Sequence, residues 1–122
     1  MQSEILQEKI VAALDDAKAL DIRVMDVRGI SSIADYMVVA TGTSSRHVSS
    51  IADRLERVLR EEGIRAWGTE GQETGEWVLI DFGDVIVHVM QAATRDFYQL
   101  EKLWAGGENT PESARESGGD SR

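Results

Sequence analysis

Two aspartates, two histidines and one glycine turn are the residues of this chain best suited by type to do chemistry. Asp81 and Asp84 could hold a divalent cation if they stood side by side, as the paired acids of a two-metal nucleotidyl-transferring site do. They lie three apart around a Gly83-Asp84 turn, and side chains alternate faces along a strand, so the spacing does not build that pair. Thr41-Gly42-Thr43-Ser44-Ser45-Arg46 has the form of a strand, a glycine turn and a helix start, which can present backbone N–H groups to an anion. It has neither the lysine of a phosphate-binding loop nor the glycine spacing of a dinucleotide site. Thr43 or Ser44 acting as a helix N-cap accounts for the same residues and is the favoured reading. His47 and His88 are the only imidazoles, and neither has a serine or a second ligand at a nucleophile or zinc spacing. A metal-dependent nucleotidyltransferase is the catalytic alternative, because such enzymes place Gly-Ser at a helix start. The strand that should then carry its acids, residues 64–67, has none. No set of residues adds up to a reaction, and the expectation is a non-enzyme with no metal and no cofactor.

Trp77, Asp81 and His88 form a different kind of group. Residues 76–82 and 85–90 read as two strands joined at Gly83-Asp84. A hairpin loop with an even number of residues pairs odd positions of the first strand with even positions of the second. Trp77, Asp81 and His88 then share a face with Leu79, Ile86 and Met90. The other face, Val78, Ile80, Phe82, Val85, Val87 and Val89, is wholly apolar and calls for a helix layer. An indole, a carboxylate and an imidazole among apolar neighbours suit a surface that meets a partner. The plainer reading is that a second layer buries this face, with Asp81 in water at the strand end and His88 hydrogen-bonded inside.

The elements that must position these residues follow from periodicity. Leu6, Ile10, Ala13, Leu14 and Ala17 fall at helical spacing, which predicts an amphipathic helix over residues 3–20. Residues 22–27 read as a short strand, and residues 35–41, apolar on both sides, as a central one. Val48, Ile51, Ala52, Leu55, Val58 and Leu59 mark the best helix, stopped by Gly63. A short strand over residues 64–67 and a mobile loop over 68–75 lead into the hairpin. The last helix is aromatic: Phe97, Tyr98 and Trp104 are three of the chain's seven aromatics. On it Phe97, Leu100, Leu103 and Trp104 cannot all share a face with Tyr98 and Glu101. One side can dock on the sheet while the other offers a Tyr-Glu pair, and aromatics of this kind are common interface anchors. The sum is an α/β fold with a mixed β-sheet of about five strands and helices packed on it.

Composition narrows the partner. Of 122 residues, 1–105 read as one domain and 106–122 as a disordered acidic Gly/Ser/Glu tail, without a large apolar residue to offset chain entropy. Net charge is −9, of which the tail contributes −2 (four acids against Arg115 and Arg122), leaving −7 on the domain. That field repels nucleic acid, and the only candidate basic stripe, Arg54, Arg57 and Arg60, lies among Glu56, Glu61 and Glu62. An acidic domain suits a basic protein partner, although charge also serves solubility. The absence of cysteine excludes disulfides and thiolate chemistry. The N-terminus lacks a secretion signal, and no apolar stretch approaches the roughly 20 residues that span a bilayer. The expectation is a cytoplasmic protein with no membrane contact.

Five segments, in order, resemble the ribosomal silencing factor family, also called Iojap-like proteins. They are Asp26-Val27 with Asp35-Tyr36; residues 41–48; Glu76-Trp77-Val78-Leu79-Ile80-Asp81; residues 83–89, ending Val87-His88-Val89; and Tyr98-Gln99-Leu100-Glu101-Lys102-Leu103-Trp104. The resemblance runs from about Leu20 to Trp104. It implies a fold related to nucleotidyltransferases without their catalytic acids. It also implies a homodimer that binds the fourteenth protein of the large ribosomal subunit, uL14, at the surface the small subunit would cover. Subunit joining is then blocked and translation damped when nutrients are short. Carried over position by position, the resemblance makes Trp77, Asp81, His88, Tyr98, Leu100 and Glu101 the partner-binding residues. The tail beyond Gly106 extends past the family's usual end. A plain dimerisation module using the Trp77 face is a third reading.

Overall fold

The stripe on residues 45–61 buries as its spacing predicts, and the other elements are arranged around it. The computed structural model describes residues 2–98, and their side chains as far as Asp96. In order come α1 (Ser3–Asp16), β1 (Leu20–Asp26), β2 (Tyr36–Gly42), α2 (Ser45–Glu61), β3 (Gly68–Glu70), β4 (Trp77–Asp81), β5 (Val85–Gln91) and α3 (Ala92–Tyr98). Val48, Ile51, Ala52, Leu55 and Leu59 of α2 are wholly inaccessible to solvent. Of the two candidate caps, Ser44 is the one used: its Oγ accepts from the His47 N–H at 3.1 Å. Ser44→Ala should therefore cost about 1 kcal/mol, read as a lower denaturation midpoint with an unchanged denaturant slope. Gly63 ends α2 with φ +82°. Its N–H reaches the Arg60 carbonyl and that of Ile64 the Leu59 carbonyl, the paired bonds of a glycine C-terminus.

Two boundaries differ from the periodicity. The first helix was expected to reach residue 20 and stops at Asp16. Lys18 takes a left-handed φ of 69°, and the Ala19 N–H turns back to Leu14 O. Leu20 is drawn out of the helix because it pairs with Thr41 across β1 and β2. The strand expected at residues 64–67 forms instead at Gly68–Glu70, inside the expected loop. Ile64 and Ala66 pack against the edge of the core, while Gly68, Thr69 and Glu70 pair with Asp81, Ile80 and Leu79. Available edge pairing on β4 outweighs the β-propensity of Ile64. The rest of the loop is tied to α2: Ser49 Oγ donates to Gln72 O at 3.1 Å, and Thr69 Oγ1 to Glu56 at 2.8 Å.

The sheet has the order β1-β2-β5-β4-β3. It is mixed, with β2 and β5 parallel and the other pairs antiparallel. The hairpin register is the expected one: Trp77 faces Met90, Leu79 faces His88 and Asp81 faces Ile86. One face carries Val38, Ala40, Val78, Ile80, Val85, Val87 and Val89, buried under α1 and α2. The other carries a smaller cluster of Met25, Val27, Val39 and Met90, with Met37 and Trp77 packed on it. Among the described residues, no helix is long and apolar enough to cross a membrane.

Candidate functional site

The second face is best understood as three rows running across the strands, because directly paired residues point the same way. Leu20, Thr41, Met90 and Trp77 form the first row. Arg23, Val39, His88, Leu79 and Glu70 form the second, and Met25, Met37, Ile86, Asp81 and Gly68 the third. Neither α1 nor α2 lies on this side. Met37, Trp77, Leu79, Asp81 and Ile86 keep partial exposure, whereas Val38, Ala40, Val78, Ile80, Val85, Val87 and Val89 on the covered face are sealed.

Trp77 and His88 are brought together. The indole Nε1–H donates to His88 Nδ1 at 2.9 Å, with ring centroids 5.8 Å apart and planes at 47°. An indole N–H can only donate, so Nδ1 must be the accepting nitrogen and the neutral imidazole carries its proton on Nε2. His88 is 6% exposed. For this histidine the plainer reading is correct: it is a buried, hydrogen-bonded brace behind a half-buried indole. Burial lowers its pKa from the ordinary 6.5 to about 4.

That shift sets a pH dependence. As pH falls through 6.5 the unfolded chain takes up a proton at this position, while the folded chain stays neutral until about 4. The stability contribution is therefore complete above pH 6.5 and drains away between 6.5 and 4, by on the order of 3 kcal/mol. In that window the denaturation midpoint of the wild type should fall more steeply than that of His88→Gln. Parallel curves would remove His88 as the source.

Asp81 shares the face but not the neighbourhood. Two pleats separate its row from that of Trp77, about 13 Å along the strand. Its Oδ1 accepts the Gly83 N–H at 2.7 Å, bracing the hairpin turn, and its carbonyl accepts the Trp67 N–H at 2.6 Å. Tyr98 is the last residue of α3, and its side chain lies outside the described residues, as do Leu100 and Glu101. The helix itself starts directly after β5, at the Trp77 end of the sheet, where Gln91 N–H donates to Glu76 O.

Three residues of this surface escaped the sequence reading. Glu70 stands beside Leu79 only because β3 forms where a loop was expected. Trp67, 79% exposed, lies against the Gly83 turn at the Asp81 end. Arg95 is 7% exposed in α3, and a lone arginine in a polar segment gives no sign of burial. The glycine turn before α2 is filled by its own side chains: Ser44 caps it, and the Thr43 N–H donates to His47 Nδ1 at 2.9 Å. Of the candidate basic stripe, Arg54 is paired with Asp16. Among the described residues, no three His, Asp or Glu side chains gather as a metal site.

Comparison with known proteins adds a family. The family described as "Ribosomal silencing factor during starvation" matches residues 1–121. The ribosomal silencing factor RsfS of Haemophilus influenzae is 49% identical over 100 residues, covering 82% of this chain and 98% of that protein. The chloroplastic protein Iojap of Zea mays is 30% identical over 102 residues, covering 84% of this chain and 43% of its own length. A crystal structure of a Chromobacterium violaceum protein, 42% identical, superposes with a TM-score of 0.84 over 90% of this chain and 92% of its own.

Proposed function

Because this chain belongs to the ribosomal silencing factor family, we propose that it docks on protein uL14 of the large ribosomal subunit and keeps the small subunit from joining. Translation is repressed when nutrients are limiting. The action is steric, so it requires no bond-making residue, metal or cofactor. The observation that carries this reading is the Trp77 indole, half-buried on the sheet face that α1 and α2 leave uncovered and held at a fixed angle by His88. A rigid aromatic loses little conformational entropy on binding, which is what an interface anchor needs.

In this proposal Trp77, Tyr98 and Leu100 are the apolar anchors, and His88 orients Trp77. Asp81 and Glu101 pair with Lys or Arg of the ribosomal protein, and Glu70, in the row between Trp77 and Asp81, joins them. The domain's net negative charge favours approach to a basic protein. The protein is a homodimer that acts in the cytoplasm. The tail expected over residues 106–122, beyond the 1–105 domain, lies outside the described residues. An interface of standard size buries about 1,600 Å² in total, enough to obstruct a neighbouring subunit. The test adds the protein to purified large subunits and follows subunit joining by light scattering. Joining should fall in proportion to occupancy measured by co-sedimentation. Full joining at saturating occupancy would refute steric blocking.

A further inference from the structure

Arg95 is a buried charge, and two of its hydrogen bonds run to the sheet. Its Nη1 donates to the Asp21 carbonyl and to Thr41 Oγ1, each at 2.7 Å. Thr41 is 5% exposed and belongs to the row Thr41, Met90, Trp77. Asp21 sits at the irregularity of β1 with a left-handed φ of 48°. That conformation lies within the stretch where the β1–β2 register shifts, and its carbonyl is met by the arginine. Arg95 therefore joins three elements: α3, the kinked start of β1 and the end of β2.

We propose that Arg95 is the positioning residue of the docking surface: by bridging Thr41 and the Asp21 carbonyl it sets where α3 crosses the sheet, and so where Tyr98 stands relative to Trp77. The inference rests on the docking reading above. The geometry supports it at each step. Thr41 lies two strands from Trp77 in one row, about 10 Å at ordinary strand spacing. Arg95 precedes Tyr98 by three residues in the same short helix, so the path of α3 over the sheet carries Tyr98 with it. Besides the Arg95 bond to β1, α3 meets β5 and β2. A helix of seven described residues has little stability of its own and takes its direction from such contacts. Arginine suits the task because its charged, planar fork reaches two acceptors at once. A lysine offers a single point charge.

The test measures affinity for purified large ribosomal subunits by quantitative co-sedimentation, together with amide hydrogen exchange. Arg95→Met should bind on the order of tenfold more weakly, the factor that accompanies loss of one charge-assisted hydrogen bond. Arg95→Lys should recover only part of the loss. Amides of residues 92–98 should exchange faster in Arg95→Met while those of β2 and β5 stay protected. Leu59→Ala, a core truncation at the far end of α2, serves as the control: it should lower stability more and leave affinity unchanged. If Arg95→Met instead unprotects the whole sheet, Thr41→Val replaces it, removing one acceptor at constant shape, and should weaken binding severalfold. Wild-type affinity in whichever of the two variants stays folded overturns the proposal, as does an equal loss in Leu59→Ala. Normal binding by Trp77→Ala and Tyr98→Ala is the separate result that would dismiss the docking reading itself.

Discussion

Trp77→Ala is expected to abolish co-sedimentation with large ribosomal subunits, a loss of 2 kcal/mol or more and hence at least about thirtyfold in affinity. The size of the effect follows from where the ring sits. Trp77 opens β4, pairs with Met90, packs against the cluster that Met90 and Val39 belong to, and is half-buried there. Its N–H is committed to His88, which fixes the ring, so its solvent-accessible part offers apolar area at almost no further entropic cost. The same substitution strips His88 Nδ1 of its donor, and a buried acceptor left unpaired costs about 1 to 3 kcal/mol of fold stability. Binding must therefore be measured where the variant is still folded, which far-UV circular dichroism establishes. Trp77→Phe separates the two effects: it restores most of the contact area but not the hydrogen bond, so affinity should largely return while stability stays low. Normal co-sedimentation by a folded Trp77→Ala protein would mean that the docking surface has been misassigned.

The largest stability effect should come from a position with no chemistry at all. Gly71 has φ +90°, and a Cβ placed there would run into the Trp77 carbonyl oxygen. That neighbour is backbone, so no side chain can rotate to make room. Gly71→Ala must either shift the start of β4 or open the turn that Ser49 and Gln72 hold against α2. Strain in φ and a backbone clash act together, for a loss above about 3 kcal/mol. In a domain of this size that lowers Tm by roughly 12 to 24 °C, readable in a thermal scan. A drop of only a few degrees would show that the turn adapts. Because the clash falls on Trp77 itself, the folded fraction should also bind large subunits more weakly, whereas Ser44→Ala, a loss at one helix end, should not.

How far the sequence reaches is clear from particular residues. The period of two in residues 77–90 and an even loop determined the hairpin register, and with it that Trp77, His88 and Asp81 share one face. The stripe from Val48 to Leu59 determined α2, and Gly63 its end. These are local properties, because side-chain alternation and helical spacing are set by the backbone within a few residues. Only the tertiary structure decided that α1 stops at Asp16 so that Leu20 can pair with Thr41, and that β3 forms at Gly68–Glu70 and brings Glu70 beside Leu79. It also decided that His88 accepts from Trp77, that Asp81 lies two rows from Trp77 and one from His88, and that Arg95 is buried. Each of these depends on which distant strand supplies a partner, and pairing energy between segments far apart in the chain leaves no periodic trace in either segment alone.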